Sequence, residues 1–230
     1  MNYDSFLELI KKRRSIRRFK TNPIPRETVE NILETARHAP SAANSQPWEF
    51  VVVEDTSTKK SIVKALSYGK VRKMDPTFYF GASVQAYLGK APVLVLICGD
   101  KRVKPAYPNF MEGEILLRQS LAVCIYTMQL AAASCGLATA WATIGKGEIA
   151  IKKLLGIPDV YTVDHIIPLA YPDEEREVES QTLRPVRERA SLRRELKEIV
   201  HYGRYDLGKF RSEKKVIDFI WDKTVTRIPQ

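Results

Sequence analysis

An α+β or α/β sandwich built as one domain is the fold this sequence predicts, and three observations carry it. Segments with helical and with strand periodicity alternate along the chain, without internal repeats or low-complexity blocks. The chain has 230 residues, close to a single domain at about 150 residues each. A composition of 44% hydrophobic, 9% aromatic and 28% charged residues can bury a core, which excludes a disordered or collagen-like chain.

Residues 5–12 open with a capping-box pattern, Ser5 and Glu8, and set Phe6, Leu9 and Ile10 at helical spacing. A short helix therefore delivers the basic run that follows. Residues 21–25 (TNPIP) are extended or turning, since each proline restrains itself and its predecessor. Val29, Ile32, Leu33 and Ala36 mark a second helix, stopped by Pro40. EFVVVE at 49–54 is a strand rich in β-branched residues, and Ile62, Val63 and Leu66 mark a helix over 59–66. Residues 67–90 read as irregular and aromatic.

The continuous apolar run PVLVLIC at 92–98 predicts a strand in mid-sheet, covered on both faces and ended by Gly99-Asp100. A long helix over 111–134 is stopped by Gly136, and 137–143 follow as a short apolar or strand segment. Residues 147–155 form a helix closed by Gly156 and Pro158. A strand over 162–170 is broken by Pro168, and 192–200 form a short basic amphipathic helix. The last thirty residues, with Tyr202, Tyr205, Phe210, Phe219 and Trp221, are too aromatic for a solvated tail and are expected to pack.

The formal charge of +10 suits an anionic partner: nucleic acid, a lipid surface or a phosphate-bearing cofactor. Residues 11–20 (KKRRSIRRFK) hold seven basic side chains and no acid, and 184–215 hold eleven basic against five acidic. Without an RNA-binding signature, a Cys/His finger or a Gly-rich arginine tract, nucleic acid ranks second. Residues 119–145 carry no charge, a stretch long enough to span a membrane. Gln119, Ser120, Thr127, Gln129 and Ser134 interrupt it, so it reads as a helix buried within the protein or within a dimer. Cys98, Cys124 and Cys135, without close Cys or His spacing or a secretory leader, argue against a disulfide scaffold or metal site and for the reducing cytoplasm. Neither a Gly-x-Gly-x-x-Gly nor a P-loop pattern occurs.

Two segments could carry chemistry. Arg13, Arg14, Ser15, Arg17 and Arg18 sit where a helix gives way to extended chain, offering guanidinium forks and a hydroxyl to a phosphate or planar anion. A solvated basic face is the alternative. APSAANSQPWEF at 39–50 packs Ser41, Asn44, Ser45 and Gln46 between two prolines before a strand, where a stiff polar loop could read the edge of a heterocycle. An ordinary helix-to-strand turn is the alternative there.

Taken together, KRRSIRRF and PIPRETVENILETARHAPSAANSQPWEFVVV resemble the opening of the FMN-dependent nitroreductase family. APVLVLICGD, LAAASCGLATAWATIG, LLGIP with PLAYPDEE, and RRELKEIVHYGRYD continue the likeness in the family's order, over about residues 5–205. The resemblance implies an α+β three-layer sandwich with a central, mostly antiparallel sheet flanked by helices, in an intertwined homodimer with two FMN sites at its interface. Residues 1–205 would be the FMN-binding domain, and 206–230 an extension packing on it or on the partner subunit.

By the same resemblance, Arg13, Arg14 and Ser15 hold the ribityl phosphate and flavin edge. Arg17 lies near N1 and O2, where two-electron reduction leaves negative charge that a fixed cation stabilises. Ser41, Ala42 and Asn44 reach the flavin from the partner subunit. Trp141, Ala142 and Thr143 run beside its reactive face, with Thr143, or Ile144 one register on, facing N5. Arg193 grips the phosphate; Glu195 stands where a proline is usual, so Arg194 could share that role. Arg17 and Thr143 are thus the catalytic candidates. No Glu, Tyr and Lys lid set of an iodotyrosine deiodinase is found, and His38, His165 and His201 are taken as structural. The implied activity is ping-pong transfer of two electrons from NADH or NADPH to nitroaromatics, quinones or similar small acceptors. The alternatives are a flavin-fragmenting or dehalogenating family member, and a flavin- or nucleic-acid-binding protein without turnover.

Overall fold

A computed structural model describes residues 2–67, 82–106, 110–173 and 193–223. Residues 68–81, within the stretch read as irregular, and 174–192 lie outside the described residues. The chain divides into two compact units, the second of which is described through residues 193–223.

The first helix, α1 (Tyr3–Lys12), is capped by Asn2, whose side chain accepts from the Ser5 N–H at 2.9 Å. Ser5 is therefore not the cap that the sequence predicts. Asn2 is an equally good capping residue, Ser5 Oγ turns back onto the Asn2 carbonyl, and Glu8 pairs with Lys11 instead. The remaining helices of this unit are α2 (Arg26–Arg37), α3 (Thr56–Ser67), α4 (Phe110–Ser134) and α5 (Glu148–Leu155). Residues Ala82–Lys90, expected to be irregular, form 3-10 turns that bury Leu88 in the cluster containing Ile62 of α3.

The strands are β1 (Trp48–Val53), β2 (Val93–Asp100), β3 (Ala138–Thr139), β4 (Ala142–Thr143) and β5 (Tyr161–Ala170). They pair in the order β1-β2-β5-β3, with β4 also on β5, and every one of these pairings is antiparallel. The apolar run of β2 lies in mid-sheet, buried on both faces. Its alternation sorts the core: Val93, Val95 and Ile97 meet α2 and α4, whereas Leu94, Leu96 and Cys98 meet α3 and α5. The result is an α+β three-layer sandwich.

Two expected breaks are not breaks. β2 continues through Gly99, where a Cβ would come within 2.5 Å of Leu121 Cδ1 and 3.0 Å of Thr162 Cγ2. Glycine serves there to let α4 approach the sheet. Pro168 sits inside β5 and pairs with Leu94 of β2. On its other side the register Thr139↔Leu169 and Ala142↔Ile166 sets Pro168 opposite Ala140. A proline has no N–H to give that ladder, and this is where pairing lapses between β3 and β4.

In the second unit, the helix expected over 192–200 is only the single turn α6 (Leu196–Ile199). Leu196 and Ile199 stay exposed, and a short helix has little stability without apolar packing. A longer helix, α7 (Glu213–Lys223), follows. Tyr202, Tyr205 and Phe210 are exposed. Tyr205 stacks on His201, and Lys209 Nζ donates to the Val200 carbonyl.

Candidate functional site

The basic run is held by its backbone. The Arg13 N–H closes α1 on the Leu9 carbonyl at 3.0 Å, and the chain then leaves in extended conformation. Ser15 bridges Thr139 in parallel, the Ile16 N–H donating to the Thr139 carbonyl at 2.9 Å. Phe19 bridges Pro172, and Lys20 N–H donates to the Tyr171 carbonyl. Ile16 and Phe19 pack into the core shared with α3 and α5. Arg14, Ser15 and Arg17 are therefore left exposed and Arg13 half-buried. A charge run is usually only a solvated face, but this one is stitched to the sheet edge beside Thr139, two residues before Trp141.

Arg17 has a partner that sequence reading did not supply. Its guanidinium lies 5.8 Å from the centroid of the Tyr87 ring, which itself packs edge-on against Phe19. Burial raises the Tyr87 phenol above its ordinary value, with Arg17 opposing the shift. Tyr87 falls in the stretch without readable periodicity, so nothing local marked it.

Trp141, Ala142 and Thr143 lie along the edge of β5. Ala142 is buried, Trp141 half-buried against the α4 side, and Thr143 exposed. Ile144 is buried, and its N–H donates to the Asp164 carbonyl at 2.9 Å, so both its amide and its side chain are committed. Trp141 Nε1–H donates to His165 Nδ1 at 2.9 Å, the rings meeting edge to face at 5.2 Å. Arg118 of α4 lies 3.9 Å from Asp164 and also pairs with Glu114.

Ser41, Ala42 and Asn44 lie in the loop between α2 and β1. Ala43, Asn44 and Gln46 all take positive φ, at 49°, 50° and 44°. Each such non-glycine residue costs about 1–2 kcal/mol, and clustered strain of this kind marks functional loops. The loop is fastened by Ser41 Oγ, which accepts from the Gln46 N–H at 2.9 Å, and by Ser120 Oγ of α4, which accepts from the Ala42 N–H at 3.2 Å. Residues of α1 flank Ala133 and Ser134 at the other end of α4. Fourteen residues of helix between Ser120 and Ser134 amount to about 21 Å. One chain thus ties Ser15 and Ile16 to Thr139, while its strained loop lies toward the other end of α4.

From Gln119 to Ala132, beyond the exposed Arg118, α4 turns one side into the core and exposes Gln119, Val123 and Tyr126 on the other, with no charged residue in that stretch. By length and composition it could cross a membrane: within residues 112–134 an 18-residue stretch has a mean hydropathy of 1.3, and half of that stretch is buried. In the second unit, Arg193 is exposed just ahead of α6. Its neighbour Arg194 donates to the Glu198 carbonyl at 2.9 Å. No group of three His, Cys, Asp or Glu among the described residues could hold a metal.

The residues present fit a bound phosphate-bearing heterocycle: exposed arginines and a serine on fixed backbone, an exposed threonine on a sheet edge, and a stiff polar loop. Comparison with known proteins agrees. Residues 10–171 match the model of the nitroreductase family. A protein of Archaeoglobus fulgidus, provisionally named an NADH dehydrogenase/NAD(P)H nitroreductase, is 30% identical over 174 residues, 74% of this chain and 87% of that one. The iodotyrosine deiodinase of Nematostella vectensis is 29% identical over 195 residues, 80% of this chain and 73% of that one. Among solved structures, an FMN-dependent nitroreductase from Clostridium difficile R20291 superposes with a TM-score of 0.62 at 24% identity, covering 86% of this chain and 99% of that one.

Proposed function

The chain belongs to the nitroreductase family, and from that premise we propose that it is an FMN-dependent oxidoreductase. It would move two electrons from NADH or NADPH to a nitroaromatic, a quinone or a similar small acceptor. The observation that carries this reading is the stitch between Ser15–Ile16 and Thr139, which ties the basic run to the chain that continues into Trp141–Thr143. When bound, FMN would supply the two-electron redox chemistry, and the chain's residues would bind, orient and shield it.

In this reading Arg13, Arg14 and Ser15 would hold the phosphate and flavin edge, with Arg193 as the further phosphate arginine and Arg194, which donates to the Glu198 carbonyl, as the alternative. Arg17, steadied against Tyr87, sets a fixed cation at the N1 and O2 end, where charge develops on reduction. Trp141 and Ala142 line the reactive face and exclude water. Thr143, exposed on β4, would face N5, with Ile144, whose amide donates to the Asp164 carbonyl, as the alternative one register on.

Ser41, Ala42 and Asn44 of the partner subunit complete the pocket in a homodimer. About 21 Å along α4 divides the two halves of the site within one chain, and the uncharged exposed side of α4 is a suitable surface for a second copy. Residues 206–230 extend the domain of residues 1–205 and pack on it or on the partner. We place the enzyme in the cytoplasm.

Donor and acceptor would share one flavin face, so turnover is ping-pong. Stopped-flow absorbance tests this: NAD(P)H alone bleaches the flavin, and a quinone or nitroaromatic then restores it without nicotinamide. Intersecting double-reciprocal plots, with no bleaching by either nucleotide, refute it. The likeness to an iodotyrosine deiodinase favours one second reading, reductive dehalogenation, in which two electrons and a proton replace a carbon–halogen bond by carbon–hydrogen and release halide. Halide release from a halogenated phenol under reducing conditions distinguishes the two.

A further inference from the structure

The proposed chemistry leaves one histidine of the sheet, His165 on β5, unused. Pro168 interrupts the ladder opposite Ala140, so Trp141 stands beside β5 between two paired stretches, where its neighbours do not hold it by a continuous ladder. By the same register Trp141 faces Ile167, and His165 is its diagonal neighbour on the α4 side of the sheet, a position from which long side chains interact. The indole N–H meets Nδ1 at 2.9 Å and the rings meet edge to face.

We propose that His165 is a positioning residue for this reaction: its Nδ1 accepts the Trp141 indole proton and so fixes the segment Trp141–Thr143 that lines the flavin face. The proposal rests on the functional reading above. The acceptor exists only on a neutral ring, whose own proton is then on Nε2; a protonated imidazole has two donors and no acceptor. One proton therefore converts the contact from a bond into a confrontation of two donors, and releases Trp141.

The surroundings of His165 keep it in the accepting form. Burial lowers its pKa below the ordinary value; Asp164, beside it on β5, opposes that shift and Arg118 of α4 reinforces it. Arg118 is in turn held by Glu114. Thr143 faces His165 from β4 and Ile97 from β2, neither of them titratable. The segment is thus ordered at neutral pH and loosened in acid.

The test uses three proteins. In His165→Asn the side-chain oxygen takes the place of Nδ1 as an acceptor that does not titrate; His165→Phe has no acceptor. The first readout is the indole N–H resonance of Trp141 in the protein as purified, assigned with Trp141→Phe, between pH 8 and 5. We expect a single-proton shift with a midpoint below 6.5 in the wild type, no titration in His165→Asn, and the acid-form position at every pH in His165→Phe. The second is the rate of flavin reduction by NAD(P)H. It should fall about tenfold per pH unit below the same midpoint in the wild type, and not in His165→Asn, which retains its own neutral-pH rate.

An indole resonance that stays in place from pH 8 to 5, or is the same in His165→Phe as in the wild type, overturns the proposal. So does a rate profile for His165→Asn that follows the wild type. A protein whose Trp141 resonance titrates but which takes up no FMN refutes the functional reading instead, and with it the catalytic consequence.

Discussion

Replacing Arg13 by Ala separates a placed guanidinium from a merely basic surface. The backbone at Arg13 is ordinary for alanine, at φ −62° and ψ 123°, and its N–H bond to Leu9 is independent of the side chain. Among the described residues its guanidinium has no carboxylate partner, so stability should change by no more than about 0.5 kcal/mol, as at an ordinary surface site. If the side chain bonds a phosphate, its removal costs about 1.5–3 kcal/mol for a charge-assisted bond. That is a rise of about 10- to 150-fold in the Kd for FMN. Lys12→Ala, one residue earlier on the exposed side of α1, removes the same net charge and is the control. Flavin fluorescence titration gives the affinities, and thermal melting shows that the fold is kept. A change under about threefold, or one that Lys12→Ala reproduces, would refute the assignment of a phosphate clamp to this position.

Gly99→Ala should destabilise the chain by about 1–3 kcal/mol, since the added methyl meets Leu121 and Thr162 in a packed interior. Chemical denaturation measures it directly. Tyr126→Asp puts a charge on the exposed, uncharged side of α4 and should halve the mass seen by light scattering if that side joins two copies; an unchanged mass would mean that the copies meet elsewhere. Because the folded-state pKa of His165 is depressed, its contribution to stability is fully present above pH 6.5 and is lost as the pH falls towards the folded value. Denaturation at pH 7.5, 6 and 5 should accordingly show a smaller acid loss in His165→Asn than in the wild type.

What could be read from the sequence is what local chemistry determines. Seven apolar residues in a row have few places other than mid-sheet, and β2 is there. A glycine after a long, largely apolar helix ends it, and Gly136 does so at φ 72°. The basic run and the polar loop were visible because charge and turn residues cluster in sequence. Their strain was not, because Ala43 at positive φ is a conformation that no sequence rule assigns to alanine. The partners of Arg17 and Trp141 were out of reach for another reason. Tyr87 and His165 are 70 and 24 residues away from them, and only the packing of one and the strand register of the other bring each pair together. Pro168 shows the difference most clearly. Read locally it is a strand breaker. Read in register it interrupts only one of two ladders, and that interruption frees Trp141 from continuous pairing while its indole N–H donates to His165 on the neighbouring strand. A histidine isolated in sequence acquires a role only through a register that a proline 27 residues beyond the tryptophan helps to set.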